Sequence, residues 1–319
     1  MALVLREQDV RHLLSMPETV ETLEQAFAAL AQGNAQNRPR TRLMLANGVL
    51  HILAAAAPSI SVLGFKTYTT FREGVRSVVM LFSAHDGALL GLIEADWLGS
   101  MRTGGTSGVA TKYLARPDAT VVGLIGAGNQ AATQLMGVCS VRQITAIYVF
   151  SRRRREREMF CEEMTRLLNI EVKPVATARQ AVEVADILIT ATTSPDPVLH
   201  GEWLQPGCHI NAIGSNWAQR REIDFSTLQR SFLITTDSRE QAYIEAGDLI
   251  IPANEGLFDW SRVSELADVV GGYEPQRESP EDITLYKGIG IALEDIATAA
   301  HVYLLAREEK MGEELNILP

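Results

Sequence analysis

A chain of 319 residues, 46% hydrophobic and 21% charged, is long enough for about two ordinary globular domains. Its formal net charge of −10 argues against nucleic acid as a partner, since phosphate binding calls for a basic surface, but allows a cationic pocket around a small anion. Three scattered cysteines (Cys139, Cys161, Cys208) without a C-x-x-C, no basic-then-apolar leader in residues 1–9 and no run of about 20 apolar residues fit a cytoplasmic protein with reduced thiols, not a disulfide framework, metal site, secreted chain or membrane span.

Residues 7–32 show helical spacing through Val20, Leu23, Phe27 and Leu30, with Met16-Pro17-Glu18 as a helix start and Gly33-Asn34 as the end. Arg38-Pro39-Arg40-Thr41-Arg42 follows; taken one by one, these arginines read as a solvated edge. Residues 42–95 alternate short strands and turns, so a mostly antiparallel sheet is expected after one helix. Within it, Val62-Leu63-Gly64-Phe65-Lys66-Thr67-Tyr68 sets a lysine in an apolar strand, facing either solvent or a cleft. If buried, that lysine needs an anion. Asp86-Gly87 between the apolar runs 78–82 and 89–93 marks a hairpin. The stretch 97–108, rich in small residues around Arg102, predicts a close helix approach or a phosphate-facing helix start. Helix continues over 110–115, and Arg116-Pro117-Asp118 breaks it at an expected domain boundary.

From Thr120 the pattern changes to strand–helix alternation. Strands are expected at 121–125, 144–150, 171–174, 187–190, 209–213 and 232–235, with helices at 130–139, 156–168 and 178–185. This is the order of a doubly wound Rossmann sheet. Its first strand runs into Gly126-Ala127-Gly128-Asn129-Gln130-Ala131, a G-x-G-x-x-A turn that opens a helix. Gly126 permits the turn, Gly128 lets backbone approach a pyrophosphate, and Ala131 lets the helix pack on the strand. The helix N-terminus offers free N–H groups to the anion.

The second strand ends in Ser151-Arg152-Arg153-Arg154-Arg155, where an NAD-selective fold usually places a carboxylate on the ribose 2′-hydroxyl. A hydroxyl beside guanidinium groups suits a 2′-phosphate, which favours NADPH, with NADH as the alternative. Arg152 is the first choice of clamp and Arg153 the second; a solvated basic helix start is the bland reading. After the fifth strand, Ile213-Gly214-Ser215-Asn216-Trp217 sets Asn216 among the strand-end loops that carry ligand contacts. Residues 271–282 read as a surface loop and 286–310 as a long helix that returns to the first domain. The six histidines show no metal-ligand spacing, His209 reads as a packed core residue, and Glu294 and Asp295 read as solvent-facing.

Several of these segments, in one order, resemble the ornithine cyclodeaminase/μ-crystallin family over about 250 residues. They are Pro39-Arg40-Thr41, Gly64-Phe65-Lys66, Met101-Arg102-Thr103, Gly126 to Ala131, Glu202-Trp203-Leu204-Gln205-Pro206-Gly207, His209-Ile210-Asn211-Ala212-Ile213-Gly214, and Asp282 to Lys287 with Glu294-Asp295. The resemblance implies a homodimer of α/β chains. Residues 1–116 with 286–319 would form an α+β dimerisation and substrate domain, and 117–285 the Rossmann cofactor domain. It implies that Arg40, Lys66 and Arg102 bind a substrate carboxylate, with Ser77 as a polar substrate contact. Lys66 becomes the candidate proton donor.

One departure bears on the reaction. Cyclodeaminases of this family carry an aspartate, base and ammonium partner, where this chain has Asn216. An amide is no general base. The implied activity is therefore an NADPH-dependent imine reductase or amino-acid dehydrogenase acting on a small 2-imino or 2-oxo carboxylate. A deaminating cyclase that recycles bound NAD, and a protein that holds NADPH and a small acid without turnover, stay as alternatives.

Overall fold

The computed structural model of the chain describes residues 2–316; Met1 and residues 317–319, at the ends of the expected first domain, lie outside the described residues. The chain divides into two compact units, one of residues up to Thr103 with those from Gly290 onward, the other Gly104–Ile289.

The first unit is built on an eight-stranded, mostly antiparallel sheet. Strands Gly48–Ala57, Val62–Phe71 and Gly74–Ser83 pair antiparallel along their full lengths, and the turn at Asp86-Gly87 returns the chain into Leu89–Glu94. Gly87 has φ +75°, the conformation that makes glycine apt in that turn. The expectation of one leading helix needs two corrections. A strand, Ala2–Leu5, comes first and lies parallel to Leu89–Glu94. All four of its residues are buried, so it has no alternation by which to be read. The helix is also two helices, Glu7–Leu13 and Met16–Ala31, divided where Ser15 caps the second.

The sheet's inner face carries Val49, His51, Leu53, Ala55 and Ala57, all buried, and receives the helix Ala292–Glu309. Gly64 makes room for that helix: a Cβ there would stand 3.0 Å from Ile296 Cδ1. The helix starts at Ala292 rather than 286, because Ile283–Lys287 is a strand of the other unit.

The second unit is an eight-stranded parallel sheet flanked by helices. Its order is Glu171–Pro174, Ala146–Phe150, Val121–Ile125, Ile187–Thr190, His209–Ala212, Ile283–Lys287, Ser231–Thr236, Val263–Glu265. The six expected strands are present. Ile283–Lys287 and Val263–Glu265 are additions, and Ile283–Lys287 is buried at every position, as a strand covered on both faces must be. The chain reverses its winding between Val121–Ile125 and Ile187–Thr190, which makes that crevice the topological switch point.

The stretch 97–108 lies in one helix, Asp96–Leu114. Its Gly104 meets Gly137 of the helix Ala131–Val141 so closely that a Cβ on Gly137 would collide with the Gly104 carbonyl. The glycines there serve a close helix crossing, one of the two roles expected. No helix among the described residues is long and apolar enough to cross a membrane.

Candidate active site

Two constellations of polar residues stand out, one in each unit. In the first unit, Lys66 points from the strand Val62–Phe71 to the inner face of the sheet and is 5% exposed. Its ammonium ion-pairs with Asp295 Oδ1 at 3.0 Å. Gly99 leaves the space, since a Cβ there would stand 2.7 Å from Lys66 Nζ. Arg102, on the helix Asp96–Leu114, binds Glu294 Oε2 at 2.5 Å and stands 3.0 Å from Asp295 Oδ1 through Nε. Arg40, just before the strand Thr41–Met44, donates from Nη2 to the Gly290 carbonyl at 2.8 Å. Arg40 and Arg102 are 6% and 8% exposed, so the solvated-edge reading fails for Arg40.

Three cations from separate segments therefore gather around Gly290, Glu294 and Asp295. Burial lowers the Lys66 pKa, as do Arg102 and Arg40, while Asp295 opposes them. Ser77 lies opposite Tyr68 in the sheet, and its hydroxyl donates to Asp96 Oδ1 at 2.6 Å. It is thus held at the start of the helix Asp96–Leu114.

The expectation that Glu294 and Asp295 face solvent is wrong: they are 2% and 0% exposed. The helix that carries them reads Ala-Leu-Glu-Asp-Ile-Ala-Thr-Ala-Ala from 292 to 300, apolar all round, which marks a buried helix whose acids need cationic partners. His51 was also missed. It stacks on Tyr68 with ring centroids 4.1 Å apart, and burial, then Arg40 and Arg42, lower its pKa to about 4. The imidazole stays neutral beside the cations.

In the second unit, the two motif glycines behave differently. Gly126 has φ +109°, and a Cβ there would collide with the Ala191 carbonyl, so the fold itself demands glycine. A Cβ on Gly128 would meet nothing within 4 Å. The protein's own packing leaves the space beside Gly128 open at a helix start, so the residues fit a dinucleotide pyrophosphate. Asn129 and Gln130 continue the turn, and Ala131 is fully buried against the strand.

At the end of the second strand, Ser151 is half-buried and its carbonyl accepts from Arg157 at 2.8 Å. Arg153 binds Glu156 at 2.9 Å and Arg154 binds Glu158 at 2.8 Å, so both are engaged along the helix surface. Arg152 is exposed at the strand's end.

Asn216 lies half-buried in a loop held from below by charges that sequence reasoning did not find. Glu222 is fully buried and accepts from Thr190, Thr192 and Gly214, which joins the ends of two neighbouring strands. Asp248 accepts from the Glu222 and Ile223 amides and ion-pairs with Lys287 at 2.9 Å. Lys287 donates to the Ser215 carbonyl at 2.7 Å. Each of these residues looks like an ordinary surface charge in the sequence; their meeting is tertiary.

His209 is fully buried between Thr284 and Asn211, and burial lowers its pKa to about 3. Burial pushes the thiols of Cys139, Cys161 and Cys208 up to about 12, 11 and 12, so none is a nucleophile.

Residues 1–310 match the model of the ornithine cyclodeaminase/mu-crystallin family. The chain is 34% identical to a Delta(1)-pyrroline-2-carboxylate reductase of Bacillus cereus, over 98% of this chain and 99% of that one. Among solved structures, it is similar to the Delta(1)-pyrroline-2-carboxylate reductase of Thermococcus litoralis in complex with NADH and L-proline. The TM-score there is 0.95, with 39% identity over 98% of this chain and 100% of that one. An archaeal alanine dehydrogenase dimer with bound NAD gives a TM-score of 0.94 and 30% identity, over 99% of each chain.

Proposed function

The chain belongs to the ornithine cyclodeaminase/mu-crystallin family, and from that premise we propose that it is an NADPH-dependent reductase of a small 2-imino carboxylate. The gathering of Arg40, Lys66 and Arg102 carries the reading. Three buried cations against Glu294 and Asp295 leave one positive charge over, which suits one carboxylate. Arg40 and Arg102 hold that carboxylate by charge-assisted hydrogen bonds, and their burial strengthens them. When bound, the nicotinamide supplies the hydride. Lys66 gives its proton to the imine nitrogen, is left neutral and is recharged from water. Asn216 orients the ligand but takes no proton, which disfavours the deaminating cyclase.

The dinucleotide lies on Gly126, Gly128 and the Asn129-Gln130-Ala131 helix start. Arg152 clamps the ribose 2′-phosphate beside Ser151, with Arg153 secondary because Glu156 already engages it; NADH is the weaker alternative.

The active species is a homodimer in the cytoplasm. The outer face of the first unit's sheet supports the dimer: Leu43, Ile52 and Leu63 are 56%, 36% and 40% exposed, and Phe65, Met80 and Phe82 lie on the same face. The similar alanine dehydrogenase is a dimer. Three free thiols fit the reducing compartment.

Incubation with NADPH and pyrroline-2-carboxylate or piperideine-2-carboxylate tests the reaction. Net NADPH oxidation with formation of the cyclic amino acid is expected. Ammonia release from ornithine with no net cofactor change would establish the cyclase instead.

A further inference from the structure

Asp295 has one carboxylate oxygen between two cations, Lys66 Nζ and Arg102 Nε, each 3.0 Å away. Its other oxygen, Oδ2, is buried and has no hydrogen-bond partner among the described residues. A buried carboxylate that leaves half its capacity unused is costly for stability alone. The groups around Lys66 make sense of it. Facing Lys66 are Arg102 from the helix Asp96–Leu114, Arg40 from the segment before Thr41, Tyr68 from its own strand at 5.6 Å, and His51 stacked behind Tyr68. Burial keeps His51 neutral, Asp96 is occupied with Ser77, and Glu294 is directed to Arg102. Asp295 is thus the anion in contact with the ammonium.

We propose that Asp295 is the positioning residue for Lys66, holding its ammonium charged and fixed so that it can protonate the substrate nitrogen. This rests on the reductase reading above. Without Asp295, Lys66 faces two guanidinium groups in a desolvated site and releases its proton. In reduction the imine carbon gains a hydride and its nitrogen gains a proton, so a neutral Lys66 has nothing to give. In oxidation of the amine the same neutral Lys66 is the required acceptor.

The chain has five lysines (Lys66, Lys112, Lys173, Lys287, Lys310), so the Lys66 side chain can be followed by NMR in lysine-labelled protein, with Lys66→Met for assignment. In Asp295→Asn the Lys66 titration is expected to move down by about one pH unit or more. The alkaline limb of kcat/KM for imine reduction moves down with it, and the acidic limb for amine oxidation moves the same way. Asp295→Glu restores most of both shifts. A merely structural role would lower the amplitude and leave the limbs in place. An unchanged Lys66 titration in folded Asp295→Asn overturns the proposal. If Asp295→Asn does not fold, Asp295→Glu with wild-type Lys66 titration but scattered limbs overturns it equally. A shifted titration in a protein that reduces no imine would leave the pair intact and refute the reductase reading.

Discussion

Lys287 Nζ stands 2.9 Å from Asp248 Oδ2, and neither side chain is exposed at all. The pair lies under the loop that carries Asn216, because Lys287 also donates to the Ser215 carbonyl. Breaking a buried pair leaves a charge without compensation. Lys287→Met is therefore expected to lose about 3–5 kcal/mol of unfolding free energy in urea. A loss below about 1 kcal/mol would mean that Asp248 finds another cation or takes up a proton.

The two motif glycines separate fold from ligand. Gly126→Ala forces a side chain onto a residue at φ +109° and into the Ala191 carbonyl, so the ligand-free protein itself should be destabilised by more than about 1–3 kcal/mol. Gly128→Ala meets open space, so its ligand-free melting temperature should match wild type while cofactor affinity falls at least tenfold. Fluorescence titration with NADPH decides. Wild-type affinity in Gly128→Ala would remove the dinucleotide from that turn.

Cofactor preference is expected to follow the one arginine of the pair 152–153 that Glu156 does not engage. A charge-assisted hydrogen bond contributes about 1.5–3 kcal/mol, so Arg152→Ala should cut the NADPH-to-NADH preference about tenfold or more. Arg153→Ala should change it less. A wild-type enzyme that prefers NADH would contradict the assignment.

Two buried histidines set an acid limit on stability. Burial holds His209 at a pKa of about 3 and His51 at about 4, both below the usual 6.5. The unfolded chain binds protons first, so stability is full above pH ~6.5 and falls as pH drops toward these folded values. Each histidine adds a slope of about 1.4 kcal/mol per pH unit. In urea melts between pH 6.5 and 4, His209→Gln should lose one such slope relative to wild type. An identical slope would place the His209 charge change elsewhere.

What could be read from the chain depended on whether a residue's setting is local. The strands Val121–Ile125 and Ile187–Thr190 were legible to the residue because each is a short apolar run beside a helix or turn signal. Ile283–Lys287 was not, because it follows a loop instead of a helix and enters the middle of the sheet from far along the chain. At the site, the cations were found through motifs. Glu222 and Asp248 were not, because an acid's burial depends on what packs over it, and nothing beside them in sequence records that. Glu294-Asp295 alone left a trace, in the apolar residues on every side of their helix.

Hydride delivery to an imine carbon can be followed with NADPH carrying deuterium at the nicotinamide C4 on each face in turn. The protein, NADPH and pyrroline-2-carboxylate are mixed, and the amino acid formed is examined by mass spectrometry and NMR. One deuterium at C2 of the product from one of the two labelled faces, with equal molar loss of NADPH, is the expected result, and Arg102→Met should need a far higher imine concentration to reach it. An unlabelled product, or no NADPH loss while ornithine yields ammonia with the cofactor unchanged, would contradict it.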